Sequence, residues 1–84
     1  MNIVFAPQAW EDYQYWLSTD RSLVKRINRL INEIRRSPYE GIGKPEQLKY
    51  GLAGAWSRRI TDEHRLVYRV VDDDVQILQV RYHY

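Results

Sequence analysis

Ala55-Trp56-Ser57-Arg58-Arg59-Ile60-Thr61-Asp62-Glu63-His64-Arg65-Leu66-Val67-Tyr68-Arg69-Val70-Val71-Asp72-Asp73-Asp74-Val75-Gln76-Ile77-Leu78-Gln79-Val80-Arg81-Tyr82 decides the fold. Three β-prone runs, Ala55 to Ile60, Arg65 to Val71 and Val75 to Tyr82, are separated by Thr61-Asp62-Glu63-His64 and Asp72-Asp73-Asp74. Both separators are polar and short enough to be hairpin turns, so the three runs form an antiparallel meander. In the middle run Leu66, Tyr68 and Val70 point one way, while Arg65, Val67, Arg69 and Val71 point the other. By the same alternation Tyr82 shares a face with Leu78 and Val80, which predicts a core position for it.

Upstream the period changes from two to that of a helix. Leu23, Ile27, Leu30, Ile31 and Ile34 fall on one helical face, with Lys25, Arg26, Arg29, Asn32 and Glu33 on the other. Thr19-Asp20 supplies an N-cap, and Ser37-Pro38 ends the helix because a residue before proline is pushed out of the helical region. Trp10, Tyr13 and Leu17 mark an earlier amphipathic helix over residues 8 to 18. Ile3-Val4-Phe5, closed by Pro7, is a short strand leading into it. Trp10, Trp16, Trp56, Tyr13 and Tyr68 are expected to be packing residues. The order is β-α-α-β-β-β, an α+β fold with a largely antiparallel sheet and two helices packed on one face. Residues 39 to 54, which hold all four glycines and one of the three prolines, form a long connection of the kind that tends to carry function.

Eighty-four residues with 44% hydrophobic and 29% charged side chains describe one folded domain, residues 1–84. No run approaches the roughly 20 apolar residues of a membrane span, and Met1-Asn2-Ile3-Val4-Phe5 lacks the basic and long apolar regions of a signal peptide. The absence of cysteine is compatible with a reducing compartment, so the cytoplasm is the expected location. Net charge is only +2, but residues 41 to 71 carry six Lys or Arg against three acids. Ten of the thirteen basic residues are arginine, whose planar fork suits phosphate. Two histidines without spacing partners argue against a zinc site, and no cofactor is expected.

Three clusters carry candidate chemistry. Arg81-Tyr82-His83-Tyr84 ends the chain with an imidazole, and imidazole, with an ordinary pKa of about 6.5, gives and takes protons near neutrality. Lys44-Pro45-Glu46-Gln47-Leu48-Lys49 places a carboxylate between two lysines that favour its ionised form. Arg58-Arg59 and Arg65 flank one hairpin, and if the turn puts Arg59 and Arg65 on one face they form a phosphate clamp. A base, an acid and cations are what RNA cleavage by its own 2′-hydroxyl requires. Taken singly, a loop glutamate, a terminal histidine and strand arginines have no such meaning, and His64, in its turn beside Glu63, reads as structural.

The combination resembles the YoeB/Txe toxins of bacterial toxin–antitoxin pairs, within the RelE superfamily. The resemblance runs through Trp10-Glu11-Asp12-Tyr13, Arg35-Arg36-Ser37-Pro38, residues Glu40 to Lys49, Trp56 to Tyr68, and Arg81-Tyr82-His83-Tyr84. It implies a RelE-like fold and a metal-independent endonuclease that cuts mRNA in the ribosomal A site and is neutralised by a YefM-like antitoxin. It further implies a homodimer that meets operator DNA only through the antitoxin. The family's general base falls on Glu46, its general acid on His83 and its phosphate-stabilising arginine on Arg65. Arg59, Lys49 and Tyr84 fall on supporting positions, and Lys44 adds positive charge for RNA. Ala55 departs from the bulky aromatic expected before Trp56, which bears on local packing or partner contact. The competing readings are a relative that binds and blocks its target without cutting, and a module that serves mainly to bind antitoxin and DNA. Glu46, Arg65 and His83 together favour the enzyme, since a pure binder has no chemical reason to keep all three.

Overall fold

A computed structural model describes residues 1–82 of the chain. The elements are β1 (Asn2–Phe5), α1 (Pro7–Thr19), α2 (Arg21–Arg36), β2 (Glu46–Gln47), β3 (Trp56–Arg59), β4 (Arg65–Val71) and β5 (Asp74–Gln79). They build one five-stranded sheet in the order β1-β5-β4-β3-β2. The meander β3-β4-β5 is antiparallel as expected, whereas β1 lies parallel to β5 at the sheet edge. The element missing from the sequence reading is β2, a two-residue strand inside the long connection that pairs antiparallel with β3. With so short a run, no alternation announces it.

Helix α2 buries Ile27, Leu30, Ile31 and Ile34, four of the five residues of the expected stripe, together with Val24. Leu23 packs at the margin of that core, half-buried. Against the stripe lie Ala9 and Trp16 of α1 and Leu66, Tyr68, Val75, Ile77 and Val80 from the sheet side. Asp20 is the N-cap, its carboxylate accepting from the backbone N–H groups of Ser22 and Leu23. The Ser22 hydroxyl outweighs the burial that opposes it and, with those N–H groups, holds the Asp20 carboxyl below the usual carboxylate range. Thr19 is the last residue of α1 and leaves the capping to Asp20. Trp10 departs from its expected place in the packing: its ring is half exposed, stacked on Tyr13 at 6.1 Å and edge-on to Phe5. Among the described residues no helix is long and apolar enough to cross a membrane.

The register of β4 against β5 contains a bulge. Val67 pairs with Gln79 but Tyr68 pairs with Ile77, so Leu78 is an extra residue on β5. The extra residue reverses the side-chain phase: Ile77 is buried in the core, while Leu78 and Gln79 line a recess outside it. Alternation therefore fails beyond Ile77. Strand β5 ends at Gln79, three residues sooner than expected, and Tyr82 is 59% exposed with a positive φ of 62°. The core position expected for Tyr82 is thus corrected: the bulge leaves Val80 on the core face, but the strand has ended at Gln79 and the positive φ at Tyr82 breaks the alternation that would have carried its ring inside.

Candidate active site

Paired residues in a ladder share a face, and successive residues alternate. Glu46 pairs with Ser57, Ser57 with Val67, Val67 with Gln79, and Arg59 with Arg65. All of these belong to the face of the sheet that the helices leave uncovered, because Arg58, Leu66 and Tyr68 on the alternate positions are fully buried on the helix side. The hairpin turn therefore does put Arg59 and Arg65 on one face, directly opposite each other. One strand spacing and two residues along separate Glu46 from Arg59, about 8 Å between Cα atoms, and Arg65 is one strand further, about 12 Å from Glu46.

The connection that delivers Glu46 is tied down by the residue beside Arg59. Arg58 is fully buried, and among the described residues no carboxylate pairs with it. Its Nε donates to the Tyr68 hydroxyl, Nη1 to the Ile42 carbonyl, and Nη2 to the carbonyls of Ser37 and Glu40, at 2.7 to 3.2 Å. Tyr68 in turn donates to the Pro38 carbonyl. Burial pushes the Tyr68 phenol above its usual pKa, partly offset by Arg58. Next along, Arg59 N–H donates to the Gly43 carbonyl at 2.7 Å. Gly43 has a φ of +82°, and a Cβ there would stand 2.9 Å from the Leu30 side chain, so only glycine lets the connection pass this close. Sequence reading placed Arg58 with the candidate cations. Its acceptors are carbonyls of an irregular segment, which leave no signature in the sequence.

Glu46 and Lys49 are exposed and share the wall of a recess of about 310 Å³ with Gln47 and Tyr50. Lys44 is exposed as well. Among the described residues neither lysine comes within 4.0 Å of the Glu46 carboxylate, so no ion pair joins them. Ala55 is fully buried and forms part of an adjoining apolar recess of about 530 Å³ with Leu48, Tyr50, Leu52, Val67 and Leu78. The guanidinium of Arg65 is anchored through Nη1 alone, which donates to the carbonyls of Thr61, Asp62 and His64. Among the described residues no hydrogen bond involves its Nε or Nη2, and none involves the Arg59 guanidinium.

The chain after β5 is held from two sides. Val80 is fully buried; its N–H donates to Asp12 Oδ2 at 3.1 Å and its carbonyl accepts from Trp16 Nε1 at 2.8 Å. Asp12, itself buried, also accepts from Gln8. Its place was legible: it lies three residues after Ala9 and four before Trp16, an acid on the buried face of a helix. On the other side, Tyr82 N–H donates to His64 Nδ1 at 2.7 Å, and Arg65 N–H donates to the Tyr82 carbonyl at 3.0 Å. Arg81 lies over the Tyr15 ring at 3.6 Å. His83 and Tyr84, the acid and supporting residue of the sequence reading, lie outside the described residues.

The model of the YoeB-like toxin of bacterial type II toxin–antitoxin systems matches residues 5–84. Toxin YoeB of Escherichia coli K12 is 56% identical over 84 residues, covering all of both chains. Among solved structures, the YoeB dimer from Staphylococcus aureus superposes with a TM-score of 0.94 at 53% identity, covering 100% of this chain and 98% of that one. A YoeB–YefM complex from the same organism gives 0.91 at 52% identity with the same coverage. A single face that gathers the glutamate and both arginines thus sits on a backbone shared end to end with these toxins, and the chain belongs to the YoeB-like family of toxins of type II toxin–antitoxin systems.

Proposed function

We propose that the chain is an endoribonuclease that cuts mRNA in the ribosomal A site and so inhibits translation. The observation that carries this reading is the shared, helix-free face of Glu46, Arg59 and Arg65, next to which the chain arrives at Tyr82 with His83 following in sequence. The Glu46 carboxylate takes the proton of the 2′-hydroxyl, and the freed oxygen bonds to the adjacent phosphorus. The guanidinia of Arg65 and Arg59 balance the charge that builds on the non-bridging oxygens, with Lys44 and Lys49 holding flanking phosphates. As the bond from phosphorus to the 5′-oxygen breaks, His83 gives that oxygen a proton, and Tyr84 helps to position the phosphate. The products are a 2′,3′-cyclic phosphate, which water opens to a 3′-phosphate, and a 5′-hydroxyl. No metal takes part. The enzyme works in the cytoplasm, and its partners are a YefM-like antitoxin and a second copy of itself, as in the Staphylococcus aureus assemblies. Operator DNA is reached only through the antitoxin.

The ribosome is needed because this face addresses phosphates, which position RNA without identifying bases. Holding the reacting groups in line supplies about 7–11 kcal/mol of the barrier, more than one side chain contributes. The test compares cleavage of one mRNA free and ribosome-bound by wild type, Glu46→Gln and His83→Ala. Each substitution is expected to slow cutting of bound mRNA by roughly 10²- to 10⁴-fold. Equal cutting of free and bound RNA removes the ribosome from the reading. Translation arrest with no cleavage would establish the blocking alternative.

A further inference from the structure

Tyr82 is held in a way that core packing does not explain. Its ring is 59% exposed, and its φ of +62° is one that tyrosine rarely adopts. Yet both of its backbone groups are engaged, and by adjacent residues: the N–H by His64 Nδ1 and the carbonyl by the N–H of Arg65. His64 is itself fixed. Its N–H donates to Thr61 Oγ1, its carbonyl accepts from Ile60 and Thr61, and its ring stands edge-on to Trp16 at 4.8 Å. The same carbonyl accepts from Arg65 Nη1. One turn therefore holds both the phosphate-facing arginine and the last described peptide of the tail. Fixing an exposed residue in a strained conformation gains little apolar burial. What it does gain is a fixed Tyr82 peptide beside Arg65.

We propose that His64 is a positioning residue for cleavage: its Nδ1, as the acceptor for Tyr82 N–H, fixes, beside Arg65, the peptide from which the chain continues to His83. The role rests on the reading that His83 is the acid. Nδ1 accepts only when the ring is neutral and carries its proton on Nε2, so the role is that of a fixed tautomer. Asn places an oxygen near the position of Nδ1, whereas Phe keeps the ring and removes the acceptor. These two substitutions separate hydrogen bonding from packing.

The experiment measures three quantities for wild type, His64→Phe, His64→Asn and His83→Ala. They are turnover on programmed ribosomes, apparent KM for ribosomes, and hydrogen-exchange protection of the Tyr82 amide by NMR. His64→Phe is expected to lose Tyr82 protection and roughly 10- to 100-fold in kcat, the scale of a misplacement of about 1 Å, with KM within about twofold. His64→Asn should recover the protection and most of the turnover. Wild-type kcat in His64→Phe alongside an inactive His83→Ala overturns the proposal and leaves the enzyme reading intact. Wild-type rates in His83→Ala sink the reading on which it rests, whatever His64 does. If His64→Phe fails to fold, His64→Asn decides: lost Tyr82 protection with wild-type turnover, or kept protection with lost turnover, would refute the role of the acceptor.

Discussion

Replacing Arg58 with methionine, which matches the side chain in length and removes its donors, should bring the protein close to unfolding. The guanidinium makes four hydrogen bonds, to the Tyr68 hydroxyl and to the carbonyls of Ile42, Ser37 and Glu40. Bonds from a charged group contribute about 1.5–3 kcal/mol each, so the set has a gross value of about 6–12 kcal/mol. Against that stands the several kcal/mol that burying the cation costs and that the substitution recovers. The net loss is about 3–5 kcal/mol, the range seen when one member of a buried charged set is removed. A chain of 84 residues has about 4–13 kcal/mol in total, at about 0.05–0.15 kcal/mol per residue. With a urea slope of about 1 kcal/mol/M for so small a protein, the unfolding midpoint should fall by about 3–5 M. Arg58→Lys should recover only part of this, because a compact ammonium cannot reach four acceptors spread around a planar fork. Amide exchange in residues 37–43 should accelerate before global unfolding, as those carbonyls lose their donor. A midpoint shift below about 1 M at unchanged slope would show that Arg58 does not organise this connection, and the account of how Glu46 is delivered would fail with it.

Asp12→Asn should cost about 1–3 kcal/mol, because the new amide cannot accept from both Gln8 and Val80 and turns a donor toward one of them. Thermal unfolding measures this, and an unchanged Tm would mean that Asp12 does not anchor the chain after β5. Because burial raises the folded-state pKa of Tyr68 above its unfolded value, its contribution is fully present below about pH 10 and is lost as pH rises through the folded value. Urea midpoints taken across the alkaline range should therefore drop in wild type and less steeply in Tyr68→Phe; parallel curves would exclude the phenol. Cleavage on ribosomes should persist when transition metals are selectively chelated and Mg²⁺ is kept to preserve the ribosome, and a zinc or manganese requirement would point to metal-assisted chemistry.

Periodicity alone carried the stripe of α2, the Asp20 cap, the stop before Pro38 and the bounds of β4, since each depends on local propensity and on the contrast between core and solvent. The residues of the candidate site were also legible as three clusters, because their chemistry is written in residue type. How the clusters meet was not. Arg59 and Arg65 share a face because the turn between them closes the ladder in that register, and Glu46 joins them through the two residue pairs of β2. A two-residue strand has no period to read. Tyr82 lies outside the core because the strand ends at Gln79 and its backbone turns to a φ of +62°, so the alternation that still buries Val80 no longer reaches it; where a strand stops depends on its partners, not on its own composition. Arg58 and Arg59 are adjacent and identical in type, yet one is fully buried under backbone carbonyls and the other faces the open side of the sheet. Alternation puts them on opposite faces, but which face is covered depends on where two helices pack, and that is decided only when the whole chain folds.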